Sequence, residues 1–220
     1  MDIDIHIWTI DLTGVADDAA LSDDERARAA RLLMPDARRR FVAARAGLRE
    51  ILAQATGTTA ASLTFAIGEH GKPYLTGIND APHFNLAHSG DLALVAVCDR
   101  PVGVDIEQVR PLTNMAQMAE MSFTDEERTA LWPLDEPART DAFFRLWTRK
   151  EAVMKAHGAG FRLAKSFSLP LALPDAASVL LEQKLFAVRD VESTDGFVAA
   201  VAVAIDSADT IDLRIHHHNL

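Results

Sequence analysis

The chain has 220 residues, 49% of them hydrophobic and 25% charged, with a formal net charge of −10 at pH 7. That composition can build a real core in one large domain or two small ones, and excludes a chain that stays disordered. The acidic balance argues against a nucleic-acid partner, and no run is long and apolar enough to suggest a membrane span.

The opening "MDIDIHIWTI" alternates apolar and polar residues and carries acids in place of a basic leader. It reads as a strand over 3–10, not as a signal peptide. "LSDDER" then opens a helix over 22–33, where Ser22 can cap the free N–H groups and Glu25 can reach back to it. A second helix is expected over 36–56. Arg26, Arg28, Arg31, Arg38, Arg39, Arg40, Arg45 and Arg49 crowd these two helices, as a solvated face or a local anion site. A strand follows at 62–68. The turn in "GEHGKPYL" sets Lys72 between Gly71 and Pro73, a loop position from which a lysine can meet phosphate. "HFNLAHSG" reads as a polar loop. There His88 and Ser89, flanked by the small Ala87 and Gly90, let backbone amides approach an anion. It leads into a buried strand over 92–98. Cys98, the one cysteine, ends that strand and reads as a buried free thiol, which with the missing leader points to the cytoplasm.

"VGVDIEQVRP" contains a strand over 102–106. Its alternation sends Asp105 and Glu107 to the same face. Two neighbouring carboxylates repel, so a positive charge is expected between them. Helices are expected at 114–120, 124–134 and 138–157, and strands at 184–191 and 196–205. "LPLALPDAAS" reads as a loop from its prolines, and the ending "HHHNL" as a metal-binding tract, a tag remnant or, more often for three adjacent histidines, a solvated tail. On the 138–157 helix, Trp147, Glu151 and Lys155 share a face. Phe143, Phe144, Leu146, Val153 and Met154 make the same helix largely buried. A buried Glu151 needs a partner, either Lys155 or a metal shared with Asp105 and Glu107. Three carboxylates suit Mg²⁺ better than zinc, and Mg²⁺ usually completes its shell with substrate phosphates. A phosphate-bearing substrate would therefore satisfy both the acids and the basic stretch.

The chain also repeats itself. "LSDDER" matches "FTDEER" at 123–128, and Ser22 to Thr124 spans the same sequence distance as Phe41 to Phe143. Two apolar runs, from Asp91 and from Gly196, follow at nearly that spacing. This predicts an α+β protein of two similar α/β subdomains, 1–100 and 101–220, related by a pseudo-twofold axis. The junction falls near Pro101 and Gly103, and a cleft is expected there. A pseudo-dimer within one chain implies a monomer.

"GKPYL", "FNLAHSG", "VGVDIEQV" and "LWTRKEAVMKAHGAG", in this order, resemble the Sfp-type 4′-phosphopantetheinyl transferases over most of the chain. The resemblance implies a single-chain pseudo-dimer that moves the phosphopantetheine arm of coenzyme A onto a serine of an apo carrier protein, releasing adenosine 3′,5′-bisphosphate. It implies Mg²⁺ on Asp105, Glu107 and Glu151, with Glu107 binding directly or through water. Coenzyme A would meet Lys72, Pro73, Ala87, His88, Ser89, Asp105 and Lys155, and Arg45 would hold the ribose 3′-phosphate. Glu151 or a metal-bound water would serve as base. Many relatives carry a serine where this chain has Ala87, so one phosphate contact differs here. Carrier docking is expected at the Met-rich stretch Met115, Met118, Met121 and Phe123, where core packing is an equally good reading. A Mg²⁺-dependent phosphoester hydrolase and a non-catalytic coenzyme A or carrier-binding module are the alternatives.

Overall fold

The computed structural model describes residues 2–14, 17–173, 176–207 and 212–219. In the first half, β1 (Asp2–Asp11), β4 (His83–Ser89) and β5 (Leu92–Cys98) form an antiparallel set with β5 in the middle. In the second, β6 (Val102–Gln108), β8 (Lys184–Val191) and β9 (Phe197–Ile205) form the same arrangement around β9. The strands keep one order along the chain in each half, so the sequence repeat is a repeat of topology. Each sheet gains one more edge strand. In the second it is β7 (Ala177–Leu181); in the first it is β10 (Asp212–Asn219), which pairs parallel with β1. The last strand thus returns to the first sheet. The hairpin of β2 (Thr64–Ile67) and β3 (Pro73–Thr76) stands apart as its own small sheet.

Helices cover the outer faces. The pair α1 (Asp23–Ala30) and the long α2 (Pro35–Thr56) is matched by α4 (Asp125–Leu131) and the long α5 (Ala138–His157), and the first helix of each pair opens on the same capping device. Ser22 with Glu25, and Thr124 with Glu127, form complete capping boxes. In both halves the box glutamate also grips a buried cation from the long helix. Arg49 Nε donates to Glu25 Oε2 at 2.6 Å, and Lys150 Nζ to Glu127 Oε1 at 2.8 Å. Buried charges survive only when paired and hydrogen-bonded, and Lys150 also donates to Phe167 O while Arg49 donates to Ala60 O.

The core has three main layers. Helix α2 packs on one face of the first sheet through Leu48, Ile51 and Leu52 against Ile10, Val95 and Phe84. Helix α5 packs on the second sheet through Phe143, Val153 and Ala156. Between the sheets lies a third layer, with Ile3, Ile5 and Ile7 from β1 facing Val104, Ile106, Val201 and Val203. The alternation along β6 therefore sends Val102, Val104 and Ile106 inward and Gly103, Asp105 and Glu107 toward α5.

Four expectations change. "HFNLAHS" is a strand, not a loop. Phe84 and Leu86 pack toward α2, and its central Asn85 is buried because a backbone amide satisfies it. "HHHN" belongs to β10, where His216 Nε2 lies 2.8 Å from Asp4 Oδ1 and its ring stacks on His6 at 4.6 Å. The end of "LPLALPDAAS" enters β7 at Ala177. Of the Met-rich stretch, which carries α3 (Met115–Ser122), Met115 and Phe123 are core, whereas Met121 is 65% exposed.

Candidate active site

Helix α5 can lie directly on β6 because residue 103 has no side chain. A Cβ there would stand 2.2 Å from Ala152 O and 2.4 Å from Ala156 N, far inside contact distance. This close seat brings Lys155 and Glu151 over the acids of β6. Lys155 Nζ donates to Asp105 Oδ1 at 2.6 Å and approaches Val104 O at 3.4 Å. The second oxygen of Asp105, Oδ2, is buried with no hydrogen-bond partner. Burial pushes the Asp105 carboxyl up to about 7; Lys155 opposes the shift, and repulsion from Glu151 and Glu107 adds to it. Glu151 is raised as well, by burial first and then by Glu107, against the pull of Lys155. The three acids therefore sense one another around a single lysine, and the arrangement lacks positive charge.

Glu107 is held from the first half of the chain. Ser89 Oγ donates to its Oε2 at 2.8 Å, and Arg110 Nη1 lies 3.7 Å from the same oxygen. Among the described residues no three His, Cys, Asp or Glu side chains converge as a ready-made metal cage. The orphan Asp105 Oδ2 and the mutual repulsion nonetheless fit a hard divalent cation, which commonly takes one or two carboxylates and leaves the rest of its shell to water and phosphate.

A cavity of about 230 Å³ opens beside this cluster, lined by Glu151, Lys155, Lys72, Pro73, Asn85 and Phe161. Lys72 is less free than its loop suggested. Its Nζ donates to Val102 O at 2.9 Å and to Ala156 O at 3.3 Å, and burial lowers its pKa to about 8. It ties the β2–β3 hairpin to the first residue of β6 and the end of α5.

A second cavity, of about 600 Å³, lies on the α2 side of β4, lined by Arg28, Arg40, Arg45, Phe41, Leu86 and His88. His88 points there with Leu86. Partial desolvation and the charges of Lys155 and Arg40 lower its imidazole pKa. Arg45 lines the cavity, but its guanidinium is already engaged by Glu25 and lies over the Phe65 ring at 5.0 Å. Arg40 pairs with Asp91 at 2.8 Å, and Arg28 lies over Phe41 at 5.2 Å. Ala87 faces neither cavity. Its side chain is buried in the layer between the sheets. A further cavity, of about 910 Å³, lies away from this cluster. Asp4, His6, Asp80, His83 and Asp99 are among its lining residues, and it has no lysine or arginine.

Sequence reasoning assigned no role to Asn85, to Arg28 and Arg40 individually, or to Gly103 as the seat of α5. Asn85 was findable as a polar residue flanked by Phe84 and Leu86.

A sequence model of the 4′-phosphopantetheinyl transferase superfamily matches residues 101–202, and one of the 4′-phosphopantetheinyl transferase N-terminal region matches 15–100. The chain is 38% identical over 210 residues to 4′-phosphopantetheinyl transferase HetI of Nostoc sp., spanning 91% of this chain and 88% of that protein. The chain belongs to the 4′-phosphopantetheinyl transferase superfamily. Within it, a Bacillus subtilis 4′-phosphopantetheinyl transferase is 30% identical over 207 residues, with 92% of this chain and 91% of that one covered. The Sfp transferase of Bacillus subtilis is 32% identical over 182 residues, covering 77% and 76%. As a phosphopantetheinyl transferase the chain is an enzyme, with the α+β fold described above. No helix among its described residues is long and apolar enough to cross a membrane.

Proposed function

We propose that this phosphopantetheinyl transferase binds coenzyme A across the seam between its halves and moves the phosphopantetheine arm to a serine of an apo carrier protein. The observation that carries this reading is the cluster of Asp105, Glu107 and Glu151 around Lys155, with an arginine-lined cavity on the other side of β4. One ligand that places a pyrophosphate at the cluster and a 3′-phosphate among Arg28, Arg40 and Arg45 meets both.

The serine oxygen bonds to the β-phosphorus as the bridging phosphorus–oxygen bond breaks. The electron pair leaves on adenosine 3′,5′-bisphosphate. Glu151 takes the serine proton, since burial has raised its pKa toward the working range of a general base. Lys155 holds charge on the transferring group. Mg²⁺ fits the orphan Asp105 Oδ2 together with Glu151 and Glu107, and when bound it supplies charge neutralisation on the pyrophosphate.

Both halves of the seam come from one chain, so a monomer suffices. The carrier is read as docking beside the exposed Met121 and half-buried Met118 of α3. Cys98 is buried, and burial pushes its thiol up to about 11, which suits a protein of the reducing cytoplasm. Glu151→Gln tests the reading. Coenzyme A binding by calorimetry should persist while transfer falls by about 10²–10⁴; a variant as active as its parent would remove Glu151 as base.

A further inference from the structure

The adjoining edges β4 and β6 belong to different sheets, with no backbone ladder between them. Two side chains of β4 join them instead. Asn85 Oδ1 accepts the Val104 N–H at 2.9 Å, and Ser89 Oγ accepts the Gln108 N–H at 3.1 Å. Residues 85 and 89 point the same way from β4, and their partners on β6 are equally far apart, so the clips match in register. Asp105 and Glu107 lie between them. The clips therefore fix both ends of the stretch that presents the acids.

Ser89 does more than Asn85. A hydroxyl has one proton and can accept as well as donate. Because Oγ accepts from Gln108, its proton is free for the carboxylate, and it lies 2.8 Å from Glu107 Oε2. That oxygen also faces Arg110 at 3.7 Å. The turn after Ser89 fixes its place on the strand: Gly90 has φ +56, and a Cβ there would meet Gln108 Oε1 at 3.0 Å. The Glu107 carboxylate is thus oriented through Oε2, from the other half of the molecule, and Oε1 is left for a ligand.

We propose that Ser89 is the positioning residue of the acid set: it aims Glu107 at the cation and does not itself contact the phosphates of coenzyme A. The inference rests on the function proposed above. It also accounts for residue 87, which lies between the two clips and is buried in the apolar layer.

The test uses the full-length protein without coenzyme A, with Mn²⁺ as the probe and its free electron paramagnetic resonance signal as the readout. Losing an outer partner of a metal ligand weakens metal binding by roughly 10–100-fold. Ser89→Ala is expected to bind Mn²⁺ at least about tenfold more weakly. Ser89→Thr, which keeps the hydroxyl, is expected to recover most of that loss, and a merely structural role would not track the hydroxyl. In Glu107→Gln, adding Ser89→Ala should cost little more. The ratio of affinities for coenzyme A and dephospho-coenzyme A should stay at the parent value. Mn²⁺ binding at the parent level in Ser89→Ala would overturn the proposal, as would a changed ratio. If the parent transfers phosphopantetheine and binds Mn²⁺ but Ser89→Ala does so equally well, only the role of Ser89 falls. If the parent neither transfers nor binds Mn²⁺, the functional reading falls with it.

Discussion

Lys155 Nζ lies 2.6 Å from one oxygen of Asp105, while the other oxygen of that carboxylate is buried without a partner. The lysine therefore answers half of an acid that two further acids crowd. Removing it leaves three mutually repelling carboxylates with only Arg110 beside them, 3.7 Å from Glu107. Lys155→Met should lower stability to urea by about 1–3 kcal/mol, the usual cost of an unsatisfied buried polar group. Mg²⁺ should restore more stability to the variant than to the parent. Equal Mg²⁺ effects in both would argue that the lysine and the cation do not serve the same charge.

The seat of α5 on β6 depends on the missing Cβ at Gly103. Backbone cannot move aside as a flexible side chain can. Gly103→Ala should cost about 3 kcal/mol or more, at the upper end for overpacking, and should displace Lys155 from Asp105. Urea unfolding gives the first number, and transfer at saturating coenzyme A reads the second effect. A variant within experimental error of the parent in both would show that the helix sits further from the strand.

Lys150 and Glu127 are both almost fully buried, 2.8 Å apart. Lys150→Met strands the carboxylate and should destabilise by about 3–5 kcal/mol. Replacing both partners by apolar residues of similar volume should recover most of that, measured by chemical denaturation. A double variant no better than the single would mean that Glu127 matters chiefly through its bonds to Thr124 N and Leu169 N.

Lys72 gives a pH dependence. Its folded pKa is about 8, lowered by burial from 10.5. Below about pH 8 the ammonium is charged in both states and its burial opposes folding. Between about pH 8 and about 10.5 the folded form has released its proton and the unfolded form has not, so this group raises stability as pH rises. The difference in melting temperature between parent and Lys72→Met should therefore shift in favour of the parent across that window. A difference that stays constant from pH 7 to pH 10 would contradict the buried ammonium.

Much of this was legible in the sequence because it rests on local rules. Both capping boxes, the long helices after them and the facing of Asp105 and Glu107 follow from spacing alone, and each is present. The strand β4 was not legible. Asn85 and His88 look like loop residues until a neighbouring backbone amide and a cavity explain them. Nor could β10 be seen in "HHHN", since its pairing partner is β1, at the other end of the chain. The arginine stretch showed the opposite failure. Its composition suggested an anion site, but only the fold tells that Arg49 and much of Arg45 are occupied by Glu25, while Arg28 and Arg40 line the cavity without that acid.

The most direct measurement is the intact mass of an apo carrier protein incubated with this protein, coenzyme A and Mg²⁺. The account predicts a gain of one phosphopantetheinyl group on the carrier, one adenosine 3′,5′-bisphosphate released per carrier modified, and neither product when the acceptor serine is replaced by alanine. Release of the bisphosphate without any mass gain, across several unrelated apo carriers, would mean that water and not a carrier serine attacks, and would contradict it.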